Sequence, residues 1–469
     1  MLFRSFGWEG SNTTCSVNLP TITPNSGYTS VGWSTTNGAT TGVTGTYTIT
    51  TYNQTLYANA IARTELYVSS SGNDSTGDGT IASPYATVSK AYSVAANTAT
   101  IYLMSNVTPT ATTTMNGSKN ITLTSCTKSG SGTSATCTYS TTYSMIRGSS
   151  LTASVINNSS GTLTLSNVTL DGNNVSATSE IVTNAGTLNV NSGSTITKGT
   201  SSGNGGGISS SGILNIQGGT ISNNSAKNGG GIYATSTNST TISSGSITGN
   251  TATTDNGGGI YLSYGSLTIN GGSVTNNTAP SGWAGGMYMS GATVDINGGT
   301  INGNTDIGEY PDIYTSMDVI SNVTDNNAGI TLKASRTNST AAYALAPKIS
   351  SDYVLDVNGG TQGNGTNVQL YTANGSNAQQ WNFGLARIID GVAYYNIETL
   401  IGGSYYLWVN GNVQTAGTNV LTWYIHTNAG GFWHLESAGD NYYYIKNGNM
   451  CLDVDSAVAA DYQNVQIYT

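Results

Sequence analysis

Near its C-terminal end the chain repeats three side chains at fixed intervals. Asp356 stands 13 residues before Gln369 and 15 before Tyr371, and Asp453 stands 13 before Gln466 and 15 before Tyr468. A middle segment aligns Trp408 with Asp356 and Trp423 with Tyr371, again 15 apart. Three agreeing registers mark a repeated structural unit. A short carboxylate beside an aromatic ring answers two needs of a sugar. Its vicinal hydroxyls want a fixed acceptor, and its C–H face wants a flat apolar plate. The candidate chemistry is therefore non-covalent recognition of carbohydrate.

The segment YVLDVNGGTQGNGTNVQLYTANGSNAQQWNF, residues 353–383, joins a Leu-Asp-Val strand, a Val-Gln-Leu-aromatic strand and a closing Gln-x-Trp. It resembles the ricin B-type lectin repeat, and the resemblance extends from about Tyr353 to the end of the chain. It implies a β-trefoil of three similar units in which the Asp accepts sugar hydroxyls and the aromatic stacks on the pyranose. The Gln of the later strand and an amide before Gln-x-Trp would add hydrogen bonds. Carried over, the first unit offers Asp356, Gln369, Tyr371 and Gln379, with Ala378 standing where some members have Asn. The middle unit has Trp408, Leu421 and Gly431-Phe432-Trp433 in place of the polar pattern and reads as structural. The third keeps Asp453, Gln466 and Tyr468 but carries no Gln-x-Trp, so the trefoil is expected to be truncated, with apolar closing residues left unpaired. For Asp356 and Asp453, capping of the following turn stays open beside sugar binding. Leu355, Val357, Leu370, Trp381 and Trp433 read as trefoil core.

These units stand on a chain whose composition excludes helical bundles and coiled coils. Only 7% of residues are charged, Gly fills 61 of 469 positions, and Thr, Asn, Val, Ile and Tyr suit short strands with tight turns. The fold class is all-β. Thirteen Lys and Arg against twenty-two Asp and Glu give a net charge of −9, which supplies no basic surface for nucleic acid. No apolar run is long enough to span a membrane, and MLFRSFGWEG is too short and polar for a signal peptide core. A Ser/Thr/Asn-rich surface with few Lys nonetheless suggests an extracellular or bacterial cell-surface location, with the natural N-terminus outside this sequence. Oligomeric state is not encoded by any recognisable pattern.

A period of 24 to 28 residues organises the middle. Gly-Gly-Gly-Ile recurs at 205–208, 229–232 and 257–260, with Ala-Gly-Gly-Met at 284–287. In step with it run Ile221-Ser-Asn-Asn, Ile247-Thr-Gly-Asn, Val274-Thr-Asn-Asn and Ile301-Asn-Gly-Asn. Each unit holds three short alternating strands, so one unit is one coil of a solenoid whose Ile and Val stack coil on coil and whose Asn residues ladder at the turns. Degenerate coils at 161–174 and 186–199 extend it, a short helix over 88–96 caps its first rung, and it ends near 319–323. The paired units at 161–304 resemble the repeats of the polymorphic outer-membrane protein group, which implies a right-handed parallel β-helix.

In the first 64 residues, LPTITPNSGYTSVGWSTTNG and TLYANA resemble the internalin-type B-repeat, a small β-grasp-like module of bacterial surface proteins. Read from residues alone, Tyr28, Trp33 and Tyr57 form its core. The expected order is a partial B-repeat at 1–64, a β-helix at 65–330, a linker at 331–347 and an incomplete β-trefoil lectin at 348–469.

Catalysis needs paired carboxylates or a base with a shifted pKa. From Arg147 to Asn304 the charged residues are Arg147, Asp171, Glu180, Lys198, Lys227, Asp255 and Asp295, and no acid lies one period from Asp255. The acidic stretch from Asp306 to Asp312 reads as a solvated loop. His426 and His434 lie in the C-terminal domain, and the four cysteines show no metal spacing; Cys126 and Cys137 are either a bridge or neighbouring thiols. No cofactor or metal is implied. The expectation is a non-enzymatic, adhesin-like glycan-binding protein. The alternatives are the carbohydrate-binding part of a polysaccharide hydrolase or lyase, and a structural adhesin that binds protein through the β-helix.

Overall fold

A computed structural model describes residues 15–50, 54–138, 141–235, 238–306, 312–316, 321–325, 330–333, 342–389, 392–424 and 429–469. His426, Val319 and most of the 306–312 stretch lie outside them.

The middle of the chain is a parallel β-solenoid of about eight turns. One face is an eight-stranded parallel sheet running from Thr113–Met115 to Ile313–Ser316, and a narrow six-stranded face runs from Ser176–Ala177 to Thr305–Asp306. Strict register stacks Ile208, Ile232, Ile260, Met287 and Ile313 in one buried column. Alternation turns the intervening residues outward.

The Ile-x-x-Asn motif supplies the polar spine. Asn224 donates its backbone N–H and its Nδ2 to Asn250 Oδ1, each at 3.0 Å, while the same Nδ2 reaches Ile196 O. Asn250 does the same to Asn277, Asn277 to Asn304, and Asn304 to Asp312 Oδ1. All five side chains are buried. The expectation of a solvated loop is therefore corrected at Asp312. It is 2% exposed because it ends the ladder as an acceptor, and Arg387 Nε of the C-terminal domain lies 3.5 Å away. Burial pushes its pKa up, against the hydrogen bonds from Asn304 and the charge of Arg387.

The glycine motif follows from this spine. A β-carbon on Gly231, Gly259 or Gly286 would stand 2.8–3.0 Å from a ladder Nδ2. The first residue of each triplet has positive φ, 59° at Gly229 and 70° at Gly257, and Ala284 takes the same conformation at 56° in the fourth copy.

The first rung is covered by a helix, Val88–Val94, capped by Thr87 and burying Val88, Ala91 and Tyr92. Cys126 and Cys137 are joined as a disulfide. In the N-terminal module Tyr28–Ser34 pairs with Tyr57–Ala62, but of the three expected aromatics Trp33 alone is buried, its Nε1 donating to Pro20 O. The expected core of Tyr28, Trp33 and Tyr57 is corrected. Tyr57 pairs with Ser34 and so faces away from the Trp33 and Ala58 pair, and Tyr28, at the far end of the same ladder beyond a bulge, is 40% exposed.

Replacing Asn250 with Ala orphans several buried groups at about 1–3 kcal/mol each, so Asn250→Ala should destabilise the solenoid by at least about 3 kcal/mol. Thr248→Ala, on the outer face, should stay within about 0.5 kcal/mol. Thermal unfolding of the full chain by circular dichroism checks both.

Candidate carbohydrate site

Three strand pairs of equal register build the C-terminal domain: Tyr353–Val357 with Thr366–Thr372, Tyr406–Val409 with Thr418–Trp423, and Met450–Val454 with Gln463–Tyr468. Asp356 lies opposite Gln369, Trp408 opposite Leu421 and Asp453 opposite Gln466. Each first strand runs into a short turn whose middle residue is left-handed: Gly359, Gly411 and Ser456. Where the three units meet, Asn419 donates to Asn367 and Asn367 to Asn464. Trp381 and Trp433 are fully buried and donate to the carbonyls of Leu355 and Leu407.

In the third unit a cleft of about 700 Å³ is lined by Leu345, Leu435, Tyr443, Leu452 and Val465, with Asp453 at its side. Met450–Val454 is half-exposed throughout, whereas Tyr406–Val409 is buried throughout. Tyr343 forms an isolated antiparallel bridge with Trp381, as Tyr395 does with Trp433.

In the first unit a hollow of about 620 Å³ is lined by Asp356, Gly360, Gln369, Tyr371, Asn377 and Tyr462 among others. Gln369 Nε2 donates to Asp356 Oδ1 at 3.2 Å, which fixes one carboxylate oxygen. Burial pushes the Asp356 pKa up, with the hydrogen bonds from Gln369 and Gln379 acting against it. Tyr371 meets Tyr462 edge to face at 5.2 Å, forming an aromatic corner beside the acid. The hydrogen bond between these phenols, with the charge of Asp461, raises the Tyr371 pKa.

Tyr462 belongs to the third unit and was not singled out by the spacing. It reaches the first unit because Asp461 accepts from Thr372 N and Oγ1 and Tyr462 N donates to Leu370 O. Nothing in the Asp/Gln/aromatic pattern encodes that crossing. Gln379 is 1% exposed and hydrogen-bonds Asp356. Its Oε1 accepts from Asn374 N and Gly375 N, and its Nε2 donates to Thr372 O, so it shapes the loop. Asn377, beside Ala378, presents an amide at the rim.

The third unit repeats the pairing, Gln466 Nε2 to Asp453 Oδ2 at 3.2 Å, with Tyr468 48% exposed. Its Asp borders the apolar cleft. In the middle unit Trp408 fills the place of the acid, close enough to Gly430 that a β-carbon there would be 3.0 Å from the ring. His434 packs against Tyr394, and burial lowers its pKa. No cluster of three or more possible metal ligands occurs among the described residues, and no helix among them is long and apolar enough to cross a membrane.

Residues 330–423 and 377–468 match the family described as "Ricin-type beta-trefoil lectin domain-like". No curated protein matches the chain by sequence. Among solved structures, the designed three-fold symmetric protein ThreeFoil is similar at 29% identity and a TM-score of 0.23, over 25% of this chain and 81% of that one. An exo-β-1,3-galactanase from Clostridium thermocellum is similar at 25% identity and a TM-score of 0.26, over 30% of this chain and 29% of that enzyme. The three strand pairs, their shared register and the family match together make the C-terminal region a ricin-type β-trefoil lectin-like domain, carried on a parallel β-solenoid.

Proposed function

We propose that the protein is a non-enzymatic, extracellular or cell-surface glycan-binding protein, adhesin-like in character, whose principal site is the hollow at Asp356. One observation carries this reading: a carboxylate oriented by Gln369 stands beside the corner of Tyr371 and Tyr462 in an open hollow. Asp356 accepts from vicinal hydroxyls, Tyr371 takes the C–H face, and Tyr462 closes one side. The third unit, with Asp453, Gln466 and Tyr468, is a weaker second site because its first strand is half-exposed and Tyr468 lies open to solvent. The solenoid projects the lectin, and avidity arises from repeated display.

The pairing of the solenoid's charges supports the non-enzymatic reading. Asp171 pairs with Lys198 and Asp255 with Lys227, while Arg147 donates to the carbonyls of Ser179 and Glu180. Burial raises the Glu180 pKa, but its partner is the Thr183 hydroxyl and not a second acid.

The test is a glycan array with the full chain. Specific binding to a class of neutral sugars is expected. Asp356→Ala should lower affinity at least about tenfold, since a charged hydrogen bond contributes about 1.5–3 kcal/mol. Asp453→Ala should have a smaller effect. Binding that survives the double substitution unchanged would overturn the assignment.

The acid must be ionised to accept from two hydroxyls. Its raised pKa means that binding is lost as pH falls through a value above the roughly 3.9 of a free Asp. Calorimetric titration in neutral and progressively more acid buffers should show that loss in the wild type. Asp356→Asn, which cannot titrate, should bind weakly and without the step.

A further inference from the structure

The outer face of the eight-stranded sheet carries a second aromatic surface, distant in sequence from the trefoil. On the last four coils the outward position is Tyr233, Tyr261, Tyr288 and Tyr314, in strict register. On the preceding coils the same position holds Asn157, Thr183 and Ser209. The four rings stack at 5.2, 5.0 and 5.3 Å with interplanar angles of 21°, 15° and 16°. Stacking on one another accounts for these four. It does not account for the two aromatics that flank them. Trp283 tilts against Tyr314 at 4.6 Å yet stays 44% exposed, and Tyr264 is 65% exposed while lying over Gly291, whose β-carbon would touch its ring at 3.1 Å.

Beside the tyrosines, two residues further along each strand, runs a row of hydroxyl side chains at Thr235, Ser263 and Ser290. Among the described residues bordering the strip, Lys227 and Asp255 pair with each other at 3.4 Å, and the Asp306 carboxylate accepts from Ala284 N. The surface therefore offers flat apolar rings and hydroxyl hydrogen-bonding groups with no excess of positive charge, once per coil, at the strand spacing of about 4.8 Å. A ligand that matches it is neutral, carries C–H faces edged by hydroxyls, and repeats along a line. An anionic polymer gains no cation here and meets a chain of net charge −9.

We propose that this face binds a neutral polysaccharide running along the solenoid axis, with Trp283 and Tyr264 as its exposed stacking residues. The site is independent of the hollow at Asp356.

Affinity gel electrophoresis of the full chain tests it, with soluble galactan, xylan and mixed-linkage β-glucan as probes and polygalacturonate as the anionic control. The variants are Asp356→Ala, Trp283→Ala with Tyr264→Ala, and all three together. At least one neutral polymer should still retard Asp356→Ala, and adding the two aromatic substitutions should weaken that retardation about tenfold, as for loss of stacked aromatic anchors. The same polymer should shift tryptophan fluorescence in Asp356→Ala but not once Trp283→Phe is added. Both replaced side chains are exposed, so unchanged melting temperatures are expected and separate lost contact from lost fold. No retardation of Asp356→Ala by any neutral polymer would overturn the proposal. So would retardation indifferent to the aromatic substitutions, or retardation by polygalacturonate alone. Failure of the trefoil reading shows differently, as array binding that ignores Asp356→Ala.

Discussion

A buried asparagine can be afforded only if every one of its polar atoms finds a partner, and the solenoid solves this by stacking identical residues. From Gly199 N to Asp312 each amide oxygen accepts from the coil before it, and each amide nitrogen donates both to the next coil and to a backbone carbonyl. The arrangement tolerates no β-carbon where Gly231, Gly259 and Gly286 pass it, and it needs coils of constant length. Both sequence motifs are thus consequences of one hydrogen-bonded line. An amide ladder has a donor end and an acceptor end, and the acceptor end is closed by a carboxylate, the one common side chain that only accepts.

That closure carries the charge that meets the lectin-like domain. A buried carboxylate without a cation would be costly. Arg387 supplies the cation at 3.5 Å and lies over the Phe432 ring at 3.9 Å, while Ile388 pairs with Ile301 of the last coil. The open edge of a solenoid is a template for unwanted strand pairing. Here the helix at Val88–Val94 covers one end and the hairpin of Trp381–Ile389 with Val392–Thr399 lies against the other.

The sequence showed the elements whose cause is periodic. The 24 to 28 residue period, the Asn ladder and the three trefoil registers all follow from residues that meet their own copies one unit away, so spacing reveals them. Contacts between unlike units left no such trace. Asp312 lies among acids that read as a loop, and its partner Arg387 is in another domain. Tyr462 joins the first site through Asp461 with Thr372, 89 residues apart, and through its own N–H to Leu370 O. Gln379 fits the ligand pattern by position, and its side chain holds the 374–375 backbone as well as Asp356. A motif gives the place of a residue; which nearby partners its side chain takes is settled by the loop around it.

The same contrast bears on how a sugar would be held. Within one trefoil unit Asp356 and Tyr371 sit on paired strands two positions apart, an arrangement rigid enough to fix the acceptor relative to the plate. Closing the hollow requires something from outside those strands. The 374–379 loop, braced by Gln379, and Tyr462 of the third unit supply it. The third unit keeps the paired strands with Asp453 and Gln466, and its first strand is half-exposed throughout. Enclosure by residues outside the paired strands matters as much as the acid and the amide, because it decides how much water a bound ring displaces and how many of its hydroxyls find fixed partners.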